Sequence, residues 1–127
     1  MTTPTDTTRY ERGLAKLAEV DGQAGQRVVD SLGDLGRYIV EFAFGDIYSR
    51  PGMSLREREI ATVAILTVLG GREPQLRVHM EAALNVGITL QEIEEIVLQT
   101  VPYAGFPTAI NAMHVLSQFK NEEAGEK

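Results

Sequence analysis

Apolar residues recur at helical spacing along most of the chain, and no segment shows the strict alternation of a half-buried strand. The pattern predicts an all-α fold of six or seven helices. The stretch from Arg50 to Gly87 reads as two helices joined by a short glycine turn. We therefore expect a central antiparallel helical hairpin around which the other helices are arranged.

The first helix of this hairpin begins with Ser54 and Glu57, which have the spacing of a capping box. Its body, from Ile60 to Leu69, is apolar on nearly every side, so we expect it to lie deep in the core. Glycines and a proline mark the remaining helix ends: Gly70 and Gly71 after the first helix, and Pro74 and Gly87 at the start and end of the second.

Three helices are predicted before the hairpin, over Tyr10–Val20, Gln23–Leu35 and Gly36–Ser49, with a turn between the first two at 21–26. Thr89 and Glu92 form a second capping box, whose helix Pro102 should kink or end, and Pro107 begins the last helix. The apolar stripes of these helices are Leu14, Leu17 and Ala18; Val28, Val29 and Leu32; Tyr38, Ile39, Phe42, Ala43, Ile47 and Tyr48; Ile93, Ile96, Val97, Thr100, Val101 and Ala104; and Ala109, Ala112, Met113, Leu116 and Phe119.

Two polar residues lie where apolar ones are expected. Glu59 shares a helical stripe with Leu55, Val63 and Leu66, and His79 borders the stripe of the second hairpin helix. A buried helix histidine is more often a core residue than a catalyst, and a carboxylate near a helix start also favours the dipole. Because leaving either group buried and unpaired is costly, we predict that Glu59 and His79 lie within hydrogen-bond reach of each other.

Composition excludes several classes of function. The chain has 127 residues, a net charge of −6 and no cysteine, so disulfides, thiol nucleophiles and cysteine–zinc sites are excluded. The two histidines, His79 and His114, are far apart and give no metal-ligand spacing. His114 shares a polar face with Asn111 and Gln118, which predicts a surface or subunit-contact residue. The chain has no run of basic residues, so nothing in it points to nucleic acid as a partner.

The length suits one domain over residues 1–127, with disordered tails at 1–8 and 121–127. The polar N-terminus is not a secretory signal, and no apolar run is long enough to span a bilayer. The sequence therefore predicts a soluble, cytoplasmic protein without a membrane partner.

Several segments together resemble the γ-carboxymuconolactone decarboxylase family. They are the run FAFGDIYSRPG at 42–52, HMEAALNVG at 79–87, the segment from Thr89 to Glu92, Leu98-Gln99, YAGFP at 103–107, and Ala109-x-Asn111-Ala112. The resemblance covers about Tyr10 to Phe119. It implies an alkyl hydroperoxidase D-like all-α fold whose subunits form trimers or hexamers, with pockets at or near subunit interfaces.

The wider superfamily contains a peroxidase branch with a C-x-x-C motif before its histidine. Arg72 and Gln75 stand at the two cysteine positions here, so this chain cannot be a thiol peroxidase. The family histidine corresponds to His79, and the relay glutamate of the peroxidase branch corresponds to Glu59. This glutamate departs from the decarboxylase pattern, in which a small residue is expected.

The resemblance implies a decarboxylation of a carboxylated lactone in aromatic-acid catabolism, without a cofactor or metal. His79 would donate a proton, and Glu59 would act as an acid or orient His79. Arg50, in the turn before the hairpin, or Arg72 would hold a substrate carboxylate. On spacing alone, Arg50 reads as a solvated turn arginine.

Tyr48 and Tyr103 are candidate hydrogen-bond donors or pocket walls, although core packing is the favoured role for each. Two other functions fit the same residues. The first is that of an enzyme that acts on another cyclic acid or lactone, and the second is that of a non-enzymatic helical homo-oligomer with a binding role.

Overall fold

A computed structural model describes residues 8–123 of the chain. These residues form six α-helices and one π-helix: α1 (Arg9–Asp30), α2 (Asp34–Tyr38), the π-helix (Ile39–Ile47), α3 (Leu55–Leu69), α4 (Glu73–Asn85), α5 (Leu90–Ala104) and α6 (Phe106–Glu123). The predicted all-α class and number of helices are confirmed. Helix α6 runs into the predicted C-terminal tail as far as Glu123, and Thr8 caps α1, so both tails were predicted too long. Their outer parts, 1–7 and 124–127, lie outside the described residues.

The chain divides into two compact units, one that ends at Leu55 and one that begins at Arg56, in the first turn of α3. We call them the N-terminal and the C-terminal unit. The N-terminal unit contains α1, α2 and the π-helix, and the C-terminal unit contains α3 to α6. That the whole chain is one domain stays a prediction.

Helix α1 replaces two predicted helices. Its N-terminus has a capping box in which Thr8 and Glu11 bond each other's backbone N–H. The predicted turn at 21–26 is reduced to a kink in α1 at Gly22. The φ of Gly22 is 59°, a positive value that glycine adopts readily. Of the apolar residues predicted to face inward, Leu17 and Val29 are buried, whereas Ala18, Val28 and Leu32 are exposed.

The segment predicted as one α-helix over 36–49 becomes the short α2 followed by the π-helix. Its predicted stripe is wrong in part, because Tyr38, Phe42 and Ile47 are exposed. The buried residues are instead Val40, Phe44 and Gly45. A π-helix forms i→i+5 hydrogen bonds and so has a wider turn than an α-helix. This wider turn changes which residues of the segment face inward.

The core of the C-terminal unit is built from the predicted stripes of α5 and α6, together with side chains of α3 and α4. Its largest fully buried apolar side chains are Val63, Leu76, Met80, Ile88, Ile93, Val97 and Leu116. Gly70, Gly71, Gly87 and Gly105 follow helix ends with positive φ, as expected of C-terminal glycines. Pro102 lies in the last turn of α5, which ends two residues later.

The body of α3 was predicted to lie deep in the core. This prediction is wrong in part, because only one face of the helix is buried. Ile65, Val68 and Leu69 are exposed, and the buried residues are Glu59, Val63 and Thr67, at offsets of four and eight. One helix face meets the core, so apolar residues on the opposite face reach the surface. The predicted inward residue Leu66 is only partly buried.

Among residues 8–123, no helix is long and apolar enough to cross a membrane.

Candidate functional site

Glu59 and His79 contact each other directly. The Nδ1 atom of His79 lies 3.1 Å from Oε1 of Glu59. The Glu59 side chain is 0% exposed and the His79 side chain 24% exposed. The predicted contact is therefore present, and it joins a fully buried carboxylate to an imidazole that reaches the surface.

The helical hairpin explains why these two side chains meet. Glu59 lies one turn before Val63 on the buried face of α3. The residues that separate α3 from α4, 70–72, reverse the chain, and His79 then follows two turns into α4. His79 borders the buried stripe of Leu76, Met80 and Ala83, so it lies at the edge of the core.

The contact restricts the roles of the imidazole nitrogens. An ionised carboxylate only accepts hydrogen bonds, so with Glu59 in that form the tautomer that suits the contact carries its proton on Nδ1 and donates it to Glu59. Nε2 is then the ring nitrogen that remains for a second partner. A histidine held by a carboxylate in one tautomer can accept or donate a proton at the opposite nitrogen. The pair therefore has the parts of a general acid–base site.

Arg72 lies just before α4, which begins at Glu73, so the helix does not reach back to it. Its side chain is exposed, and Nη1 donates to the carbonyl oxygen of Gly70 at 2.9 Å. Tyr103, near the end of α5, is 85% exposed. Core packing, the favoured role for Tyr103, is therefore wrong for this chain.

Arg50 and Tyr48 belong to the N-terminal unit. Arg50 is exposed, and its backbone N–H donates to the carbonyl oxygen of Ile47 at 3.1 Å, in the turn after the π-helix. Tyr48 is partly buried, with its ring centroid 5.0 Å from that of Phe44. Packing therefore accounts for part of the Tyr48 ring. That Arg50 and Tyr48 act together with Glu59 and His79 stays a prediction.

His114 is exposed on α6, which agrees with its assignment to the surface. Within residues 8–123, no group of three or more histidines and carboxylates has a geometry that could hold a metal ion. The arrangement offers proton transfer by one imidazole and hydrogen bonding by the carboxylate behind it.

Sequence reasoning missed two features of α3 and α4, the helices that carry the pair. Thr67 is buried on the same face of α3 as Glu59, and its Oγ1 has no hydrogen-bond partner within the described residues. The guanidinium of Arg77, two residues before His79, donates hydrogen bonds to two side chains of α6. The helical offset of eight from Glu59 was the available signal for Thr67. A charged residue on a helix gives no comparable signal for Arg77.

Known proteins similar to this chain include two decarboxylases. A 4-carboxymuconolactone decarboxylase of Acinetobacter baylyi is 37% identical over 118 residues, which cover 89% of this chain and 87% of that protein. A nitrosuccinic acid decarboxylase of Metarhizium robertsii is 34% identical over 85 residues, or 66% of this chain and 58% of that protein. An uncharacterised 15.0 kDa protein of Paracoccus denitrificans is 33% identical over 89 residues, or 69% of this chain and 66% of that protein.

The match to a family model is consistent with these similarities. Residues 33–118, from just before α2 almost to the end of α6, match the model of the carboxymuconolactone decarboxylase family. The matched range includes both Glu59 and His79. The chain belongs to the carboxymuconolactone decarboxylase family.

Proposed function

We propose that this protein removes carbon dioxide from a carboxylated lactone of the 4-carboxymuconolactone type, without a cofactor. The contact between the buried Glu59 and the partly exposed His79 carries the proposal. The 37% identity to a 4-carboxymuconolactone decarboxylase over most of both chains supports the choice of substrate.

The chemistry needs little from the protein beyond charge and a proton. When the C–C bond to the carboxylate breaks, its electron pair moves into the conjugated lactone carbonyl, and carbon dioxide leaves. The enolate formed must then be protonated on carbon. His79 stabilises the developing oxyanion or delivers this proton, and Glu59 holds the ring and stabilises the imidazolium form.

An arginine would bind the carboxylate of the substrate. Arg50 and Arg72 are the two candidates, because both are exposed and a guanidinium can bind a carboxylate through two parallel hydrogen bonds. Tyr103, whose ring is exposed, and Tyr48 are candidates for the pocket wall. Replacement of the correct arginine by methionine should raise KM more than it lowers kcat, since it removes binding of the carboxylate.

We also propose that the protein is a homo-oligomer, a trimer or hexamer. Exposed apolar side chains on α3, α5 and α6 support this proposal; they are Ile65, Leu69, Leu98, Tyr103, Phe106 and Ile110. A second copy of the chain would remove them from water, which is favourable at about 25 cal/mol per Å². A sedimentation mass equal to one chain at micromolar concentration would contradict the proposal.

The relative named as a nitrosuccinic acid decarboxylase favours a second candidate, an open-chain acid with a different electron sink. A nitro group, like a lactone carbonyl, can accept the electron pair that decarboxylation releases. The same His79 and Glu59 would serve, since the proton must still be delivered to carbon. Turnover of nitrosuccinate with no turnover of the lactone would favour this candidate.

The test compares His79→Gln and Glu59→Gln with wild type, and His114→Gln is the matched control because His114 is an exposed histidine of the same unit. We expect both site variants to keep the helical fold and oligomeric state and to lose about a hundredfold or more in kcat. The control should retain full activity. Carbon dioxide release and loss of the lactone are the measurements.

Full activity in both site variants would eliminate this site. If wild type binds the lactone without turnover, the non-enzymatic binding role replaces the enzymatic one. If it neither binds nor turns over the lactone, the substrate is another acid, and the nitro acid is tested next.

A further inference from the structure

Arg77 connects α4 to α6 through three neighbouring contacts. Its Nη1 donates to Oε1 of Gln118 at 2.6 Å, and its Nη2 donates to Oε2 of Glu122 at 2.9 Å. Its guanidinium carbon also lies 4.5 Å from the centroid of the Phe119 ring. These partners lie within about one turn of α6, so the guanidinium holds one place on that helix.

Arg77 and His79 flank the buried stripe of α4 on opposite sides. Positions i and i+2 of an α-helix, such as Arg77 and His79, are about 200° apart around the helix axis. Leu76 and Met80 lie in the sector between these two residues that faces the core. Arg77 fixes one edge of this stripe to α6, while His79 contacts Glu59 of α3 at the other edge. The hydrophobic effect that buries Leu76 and Met80 is non-directional, so it does not by itself select one exact rotation of α4. The two polar contacts therefore restrain the rotation of α4 about its axis.

A small rotation would be enough to disturb the site. A side-chain atom about 6 Å from a helix axis moves by about 1 Å when the helix rotates by about 10°. The distance of 3.1 Å between His79 and Glu59 lies near the upper limit of a good hydrogen bond. A displacement of about 1 Å would break it, and misplacement of this size can cost an enzyme much of its rate.

We propose that Arg77 is a positioning residue for His79: by binding Gln118 and Glu122 it sets the rotation of α4 that keeps the imidazole on Glu59. Stability does not explain the contacts well, because the Arg77 and Glu122 side chains are 40% and 58% exposed. Ion pairs this exposed contribute little to the free energy of unfolding. The kinetic part of this inference rests on the proposed decarboxylation, but its structural part does not.

The test uses Arg77→Met, which keeps an apolar side chain and removes the guanidinium, with Lys120→Met as the matched control. Lys120 also lies on α6 and forms an ion pair, with Nζ 2.7 Å from Oε1 of Glu94, but its partner lies on α5 instead of α4. The ring nitrogens of His79 are followed by ¹⁵N NMR, with His114→Gln used to separate the two histidines. Wild type should show one fixed tautomer with the proton on Nδ1.

We expect Arg77→Met to move both His79 nitrogen signals towards the averaged values of an exposed imidazole, whereas Lys120→Met should leave them unchanged. In the decarboxylation assay, Arg77→Met should lower kcat about tenfold with KM nearly unchanged, and Arg77→Lys should recover part of the loss. A folded Arg77→Met protein with the wild-type His79 signals would overturn the proposal.

If Arg77→Met fails to fold, Gln118→Leu combined with Glu122→Gln removes the partners from α6 and is read in the same way. Unchanged His79 signals in that variant would also overturn the proposal. A wild-type His79 without a fixed tautomer would count against both this proposal and the proposed site. A fixed tautomer in a wild-type protein that does not act on the lactone would remove only the kinetic part.

Discussion

The two units pack their helices by different means. In the N-terminal unit the backbones themselves touch: a Cβ atom added to Gly13 would lie 2.0 Å from the carbonyl oxygen of Val40, and one added to Gly36 would lie 2.0 Å from that of Val29. In the C-terminal unit, large side chains such as Leu76, Met80 and Leu116 fill the space between the helices. The first arrangement depends on the absence of side chains and the second on their volume.

This difference bears on where a chemical group can be held. At the point where two backbones touch there is no room for a polar side chain and its partner, and a buried carboxylate of the N-terminal unit, Asp21, lies elsewhere on α1. A core of interlocking side chains can include one carboxylate, provided that a hydrogen-bond partner compensates for its loss of water. Glu59 occupies such a position in the C-terminal unit, with His79 as its partner.

The largest expected effect tests the backbone contact of the N-terminal unit. Gly13→Val should destabilise the protein by more than about 4 kcal/mol, because a backbone carbonyl cannot move aside as a flexible side chain can. Gly52→Val is the matched control, since Gly52 is exposed and nothing lies within 4 Å of its added Cβ. Urea unfolding followed by circular dichroism gives the comparison. Equal stability of the two variants would show that the close contact does not exist.

The next effect tests the side-chain core. Leu116→Ala should lower the free energy of unfolding by about 3 kcal/mol, since Leu116 is fully buried among other large side chains and its loss leaves a cavity. Leu98→Ala, on the exposed face of α5, should cost much less in the isolated chain. A loss at Leu98 that grows with protein concentration would indicate that a second copy covers this residue.

The same contrast explains how much of the fold the sequence could predict. The stripes of α5 and α6 were predicted correctly because these helices bury one face at regular 3.6-residue spacing. The π-helix was not predicted, because an extra residue in a turn leaves no local signal in the sequence. For α3, a segment that is apolar on nearly every side does not reveal which face is buried, so the exposure of Ile65 and Leu69 was missed.

The residues of the candidate site also differ in whether the sequence could predict them. Glu59 and His79 stood out because each interrupts or borders an apolar stripe, and the structure brings them together. Arg77 did not stand out, since a charged residue at the edge of a stripe resembles any solvated one. Its significance depends on Gln118, Phe119 and Glu122, which are about forty residues away in the sequence.

A smaller effect concerns buried threonines in the C-terminal unit. Thr67→Val should raise the free energy of unfolding by about 1 kcal/mol, because Thr67 is 2% exposed and its Oγ1 lacks a partner within the described residues. Thr100→Val should have the opposite sign, since the Thr100 hydroxyl donates to the carbonyl oxygen of Val97 at 2.7 Å. Thermal unfolding of the two variants compares them directly. A loss at Thr67 would indicate that its hydroxyl binds a water molecule.

The smallest expected effect is one of acid stability, and here the two units should behave alike. In the N-terminal unit, the hydrogen bond from Arg9 lowers the pKa of Asp46 below its usual value of 3.8. In the C-terminal unit, the hydrogen bond from the backbone N–H of Thr89, followed by the side chain of Arg56, lowers the pKa of Glu92 below 4.5. Both carboxylates are thus easier to ionise in the folded protein than in the unfolded chain.

A lowered folded-state pKa stabilises the protein at pH values above the unfolded-state pKa, and the stabilisation is lost as the pH falls through the folded-state value. Asp46→Asn and Glu92→Gln should therefore be slightly less stable than wild type at pH 7. Each difference should shrink as the pH falls below about 4. Because both side chains are partly exposed, high salt should reduce the difference as well. Urea midpoints measured between pH 7 and pH 3 provide the test, and a difference that widened in acid would contradict the assigned direction of the pKa shifts.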